Sequence, residues 1–260
     1  MTRPLVSILL LAFGLAGCAS TPGKVRGDRP PEVPVEVGEP TAEAAAGQEE
    51  LARAIELFDG GELEAAEVRL LAFRQTHPEN AAAALYLGRI YFEQQRYAES
   101  VGELEAAVAL DDTEVEHYLW LGRALGERIH KVVFLLQVPM AKRILAAFTR
   151  AVELDPDSVR GHLALARFYS EAPPFAGGDR EKALHHAAEL IRLDPLEGYL
   201  RRAAIYERFG EADLAERDLL SALGALLAGR PDHPQAEVAL ERLVQELAGG
   251  AGAAGGSPPE

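Results

Sequence analysis

The chain has 260 residues, 48% of them apolar but only 7% aromatic, and its 41 acidic side chains against 26 basic ones give a formal net charge of -15. That is enough apolar material for a sizeable core, and the abundance of Ala and Leu favours helices packed through small and straight-chain side chains. The acidic excess argues against a nucleic-acid partner and against the chain as a whole lying on an anionic surface, and the single cysteine, Cys18, excludes an internal disulfide.

The chain opens with the plan of a secretory leader. Arg3 supplies the positive start, Leu5 to Leu15 is almost wholly apolar, and small residues follow in Leu15-Ala16-Gly17-Cys18. The run is too short for a transmembrane helix, which needs about 20 apolar residues. "LAGC" resembles the lipobox of bacterial lipoproteins. The resemblance implies cleavage of residues 1–17 and a covalent lipid on Cys18; no other cofactor is expected. Ala19 rather than Asp after the cysteine implies, by the same family rule, transfer to the outer membrane on its periplasmic side. One acyl chain anchors weakly, and lipoproteins carry several. The plainer alternative is an ordinary leader with an incidental cysteine.

Residues 18–46 contain Pro22, Pro30, Pro31, Pro34 and Pro40 and no apolar period. Such a segment reads as a disordered tether, spanning roughly 30 Å as a coil and roughly 80 Å if drawn out. Residues 248–260 are Gly-rich and read as a disordered tail.

Between them the sequence repeats. "AVALDD", "AVELDP" and "LIRLDP" end at Asp112, Pro156 and Pro195, and "LYLGRIYF", "LWLGRALG" and "LALARFYS" begin at Leu85, Leu119 and Leu163. Gly88 and Gly122 stand 34 residues apart. Small residues such as Gly88 and Gly122 let helices approach closely, and each Asp-Pro suits a helix end followed by a new first turn. The 34-residue period, with Leu87, Gly88 and Tyr91 on one helix and Ser100, Leu104 and Ala107 on the next, resembles the tetratricopeptide repeat (TPR). The resemblance covers about residues 47 to 231. It implies an all-α, right-handed α-solenoid of about five TPR-like helix pairs over 47–247, with a C-terminal capping helix at about 235–247.

Two units are longer than the rest. Ten extra residues fall within "GERIHKVVFLLQVPMAK" of the third, and five within "SEAPPFAGGDRE" of the fourth. Both insertions fall between the first and second helix of their unit, so they are expected side by side. Phe134, Leu135 and Phe175 are the contact residues they offer. Two readings stay open: the apolar run lengthens a helix and packs under Phe175, or it forms an exposed patch for a partner.

No acid, base and nucleophile converge, so an enzyme is not expected. No metal is expected either: the seven histidines are scattered, and each reads as a surface or capping residue. The resemblance does single out one column. Arg89, Arg123 and Arg167 share a position that in TPR proteins faces the concave groove, and Leu85, Leu119 and Leu163, four residues earlier on the same face, are expected to line that groove as a stripe of leucines beside the arginines. Arginine forks match carboxylates, which predicts a groove for an acidic peptide or chain terminus. Glu93, Glu127 and Glu171 follow four residues later and offer each arginine an in-helix pair instead.

The expected function is a membrane-anchored scaffold in the bacterial envelope that binds another envelope protein or peptide. A narrower alternative rests on "RAVELDPDSVRGHLALARFYSEAPPFAGGDREKALHH", which is similar to TPR lipoproteins associated with TRAP transporters and implies help in periplasmic solute uptake.

Overall fold

The computed structural model describes residues 42 to 229. The leader, Cys18, the tether up to residue 41, the expected capping helix and the tail lie outside the described residues, as does the side chain of Phe134. The described residues form ten α-helices and no strand: α1 (Ala42–Asp59), α2 (Leu63–Thr76), α3 (Ala81–Glu93), α4 (Tyr97–Leu110), α5 (Val115–Ile129), α6 (Phe134–Leu154), α7 (Val159–Glu171), α8 (Arg180–Leu193), α9 (Pro195–Arg208) and α10 (Ala212–Gly229). They make five consecutive pairs, as the repeat predicts. Each helix packs on the next, and first helices also meet across units: α1 touches α3, α3 touches α5, and α7 touches α9.

Helix α1 begins at Ala42, so residues 42–46 are helical rather than tether. The reason is local: after Pro40 the segment Ala42-Glu43-Ala44-Ala45-Ala46 consists of strong helix formers. Three of the four later first helices carry a side-chain cap: Asn80, Ser158 and Asp194 accept from the backbone N–H three residues on, each contributing about 1 kcal/mol. The Asp-Pro rule holds only in part. Pro195 opens α9, whereas Pro156 lies in a turn before the cap Ser158.

The core is a chain of local clusters. Leu70, Phe73, Leu87 and Ile90 join units 1 and 2. Leu104, Trp120, Leu125 and Ile144 join units 2 and 3. Phe148 and Phe168 pack against both that cluster and the next, built on Leu165, Leu190 and Ile205. The two glycines allow the close approach. A Cβ on Gly88 would lie 2.6 Å from Leu104 Cγ, and one on Gly122 would lie 2.4 Å from the Phe148 ring. Ser100 Oγ donates to the Gly88 carbonyl at 2.7 Å, tying the same two helices.

Units 1, 2 and 5 share one turn between their helices. Gly61, Gln95 and Gly210 have φ of +80°, +59° and +76°. Around them, Glu62 N donates to Leu57 O, Arg96 N to Tyr91 O, and Glu211 N to Tyr206 O, at 2.8 to 2.9 Å. This is the Schellman motif, which needs one left-handed residue. Units 3 and 4 depart from it. Helix α6 has 21 residues against 14 in α2, α4 and α8, so the first insertion is a helical extension. The second folds as a 3₁₀ turn, Pro174–Ala176, that rests on α6.

Candidate partner-binding face

The predicted stripe of leucines is not a groove lining. Leu85 is 9% exposed and Leu119 5%, and both belong to the core, while Leu163 is half-buried against the cluster around Leu165. Their face of the first helix turns toward the neighbouring helices.

The three members of the arginine column behave differently. The guanidinium carbon of Arg89 lies 4.5 Å from the Phe58 ring centre, 4.8 Å from Tyr86 and 5.0 Å from Trp120. That of Arg123 lies 4.5 Å from Phe92 and 4.8 Å from Trp120. Arg167 instead pairs with Glu171 at 3.0 Å. The in-helix pair offered to all three therefore forms once. The residue three positions earlier decides it: Tyr86 and Trp120 present a ring to Arg89 and Arg123, while Ala164 presents none to Arg167.

The rings are themselves joined edge to face, Phe58 with Tyr86 at 5.5 Å and Phe92 with Trp120 at 5.6 Å. Helices α1, α3 and α5 thus carry a continuous ladder of rings and guanidinium groups. Contact with aromatic rings holds a guanidinium in place without using its N–H groups, which stay available to another acceptor. The Arg89 Nε is buried without a hydrogen-bond partner among the described residues.

The third unit adds a second feature. Val133, Leu135 and Leu136 are 70%, 84% and 53% exposed, while the neighbouring Val132 packs on the core. The apolar run does lengthen a helix, but it does not bury itself. Phe175 on the 3₁₀ turn is also largely exposed.

No protein-family model and no curated protein matches the chain. Solved structures do. The chain is similar to TTC0263, a thermophilic TPR protein of Thermus thermophilus, at 19% identity and a TM-score of 0.58 over 78% of this chain and 99% of that one. It is similar to YrrB, described as a TPR protein with an unusual peptide-binding site, at 20% identity and a TM-score of 0.55 over 78% of this chain and 100% of that one. MamA from Desulfovibrio magneticus RS-1 gives 13% and 0.58 over 71% and 97%. The fold is the tetratricopeptide-repeat fold.

Within this TPR solenoid, histidines have roles the sequence did not reveal. His117 and His162 are 3% and 4% exposed rather than on the surface. His117 Nδ1 lies 2.9 Å from the Asp111 carbonyl and His162 Nε2 lies 3.0 Å from the Pro156 carbonyl, so each ring pins the turn leading into its own helix. A carbonyl only accepts, so His162 carries its proton on Nε2. Its Nδ1 then accepts from His186 Nδ1, 3.0 Å away. His186 stacks parallel to Tyr169. Burial, with the neighbouring rings of His162 and His185, pushes its pKa down to about 4. A histidine six or seven residues after a helix-ending Asp was the available signal. Among the described residues no group of three or more His, Cys, Asp or Glu is placed to hold a metal.

Proposed function

We propose that this TPR protein is a binding module rather than an enzyme: an envelope lipoprotein, anchored at the periplasmic side of the outer membrane through lipid on Cys18, that holds an acidic segment of another envelope protein. The observation that carries the reading is the unequal arginine column. Among the described residues, Arg89 and Arg123 rest on rings with no carboxylate, while Arg167, lacking a ring, has taken one. A partner's aspartate, glutamate or terminal carboxylate supplies the missing acceptor, and the rings beside it receive the flanking apolar side chains. The peptide-binding site named for YrrB supports peptide recognition as a use of this fold.

The solute-uptake alternative rests on the turn from Pro173 to Asp179, and that turn already has a structural task. Asp179 N donates to Tyr169 O, and Asp179 caps α8 by accepting from Lys182 N.

Fluorescence anisotropy with a set of acidic and neutral peptides tests the proposal. Charge-assisted hydrogen bonds contribute about 1.5 to 3 kcal/mol each, so Arg89→Ala with Arg123→Ala should weaken acidic-peptide binding by tenfold or more, while Arg167→Ala leaves it unchanged. Equal binding by all three proteins sinks the groove. Fractionation of cells expressing Cys18→Ala tests the anchor, and a variant that stays with the outer membrane counts against it.

A further inference from the structure

The stretch from Arg128 to Val152 contains no acidic residue, in a chain that carries 41 of them. It holds Arg128, Lys131, Lys142, Arg143 and Arg150. Arg143 pairs with Glu105 and Arg150 with Glu153. Arg128, Lys131 and Lys142 meet no carboxylate among the described residues, and both lysines are exposed. They flank the most exposed large hydrophobic side chains of the described residues, Val133 and Leu135, with Leu136 beside them.

The start of α6 is also poorly built for stability. Its N-cap is Val133, which provides no side-chain hydrogen bond, and Pro139 interrupts the ladder inside the helix. A proline there removes one backbone bond and crowds the carbonyl four residues back. The extra turns lie beyond the length that α2, α4 and α8 need to stack. Exposed leucines on an uncapped extension therefore point to a role outside the solenoid.

We infer that the first two turns of α6, with Lys131 and Lys142, dock on an anionic lipid surface. Composition favours lipid over protein. The centres of protein interfaces are rich in aromatic residues, Met and Arg and poor in Lys, whereas segments lying in the membrane interface set apolar residues such as Leu beside lysine and arginine, the combination of Leu135 and Leu136 with Lys131 and Lys142. Charge gives the direction: the rest of a chain of net charge -15 is repelled by the same surface, so only this end approaches it. The contact is shallow, since no helix among the described residues is long and apolar enough to cross a membrane. The inference does not depend on the lipid at Cys18 or on the arginine ladder.

The test uses the full chain with Cys18→Ala, which removes the lipid and the only other thiol. An environment-sensitive dye is attached through Leu135→Cys, or through Val68→Cys as an exposed control on α2. Vesicles are made of phosphatidylcholine alone or with an equal share of phosphatidylglycerol. The expected result is a blue shift at position 135 on the anionic vesicles only, reduced by high salt. Lys131→Glu with Lys142→Glu should weaken the half-point about tenfold or more, with helical circular dichroism unchanged. No shift at 135, an equal shift on neutral vesicles, or an equal shift at 68 overturns the inference. So does a shift produced by a soluble envelope extract and not by vesicles, which assigns the patch to a protein.

Discussion

Units 1, 2 and 5 turn from one helix to the next through the same Schellman motif, while units 3 and 4 replace it with a longer helix and a 3₁₀ turn. Yet the packing inside the pairs is unaffected: Gly122 meets Phe148 in a long unit as closely as Gly88 meets Leu104 in a short one. Stacking and turning are therefore separable. The buried faces fix where a unit sits, and the edge of the solenoid is free to carry insertions. The two units that use that freedom carry the exposed leucines and Phe175.

The largest expected effect lies in a long turn. A Cβ on Gly178 would sit 1.8 Å from the Ala172 carbonyl oxygen, a backbone atom that cannot swing aside. Gly178→Ala should cost about 3 kcal/mol, at the upper end of overpacking. In the short turns, Gly61→Ala meets nothing within 4 Å and pays only for its φ of +80°, about 1 kcal/mol. Hydrogen exchange should show protection lost from α7 and α8 in the first variant with α1 to α4 little changed. Equal losses in both variants, or uniform loss along the chain, would break the separation of stacking from turning.

Acid should also find a long unit first. The His162–His186 pair joins α7 to α8, faced by His185 and, more weakly, by the carboxylate of Glu189. The folded state holds His186 near pKa 4 against an ordinary 6.5, so folding favours its neutral form. The stability that this leaves intact above pH 6.5 is lost as pH falls toward 4. Allowing for partial exposure, the loss is about 1 to 2 kcal/mol. Exchange in α7 and α8 measured between about pH 7 and about pH 4.5 should rise beyond that in α3 and α4, and His186→Phe, which keeps a ring over Tyr169, should flatten the difference. A parallel rise in both regions would remove the histidine pair as the cause.

The sequence made the helix pairs legible because small residues recur at the same place in each unit: Gly88, Gly122 and Ala166 mark the close contacts wherever the turns diverge. It made the insertions legible by the same alignment. It did not show that Leu85 and Leu119 are core, because a column inferred from a repeat does not say how far neighbouring helices close over it. Nor did it show which arginine pairs with its glutamate. That depends on whether position 86, 120 or 164 holds a ring, a competition visible only once cation–π contact is weighed against the ion pair. The start of α1 was misplaced because the prolines before it drew the tether too far into Ala42 to Ala46.

A smaller effect sharpens the comparison from the other side. Among the three Schellman turns, Gln95 alone places a side chain at the left-handed position. Gln95→Gly relieves that strain and should stabilise unit 2 by about 1 kcal/mol, less whatever glycine adds to unfolded-chain entropy. Urea unfolding should give a higher midpoint with the same slope. A lower midpoint would mean that Gln95 holds the turn by contacts of its own.

The smallest effect separates the two kinds of arginine. Arg167 and Glu171 are exposed partners on one helix, and Arg167→Ala should cost about 0.3 to 0.5 kcal/mol, a loss that disappears in molar salt as the pair is screened. Arg123 is also exposed but rests on Phe92 and Trp120. Arg123→Ala should cost about 0.5 to 1 kcal/mol and retain most of that loss in salt, because contact with two rings includes packing as well as charge. Urea midpoints for the two variants at low and high salt give the answer. If both losses vanish together, Arg123 is held by charge alone and the ring ladder has no hold on it. If only the Arg167 loss vanishes, the rings keep Arg123 in position whether or not a carboxylate is present, which is the pre-organisation that a carboxylate-binding face requires.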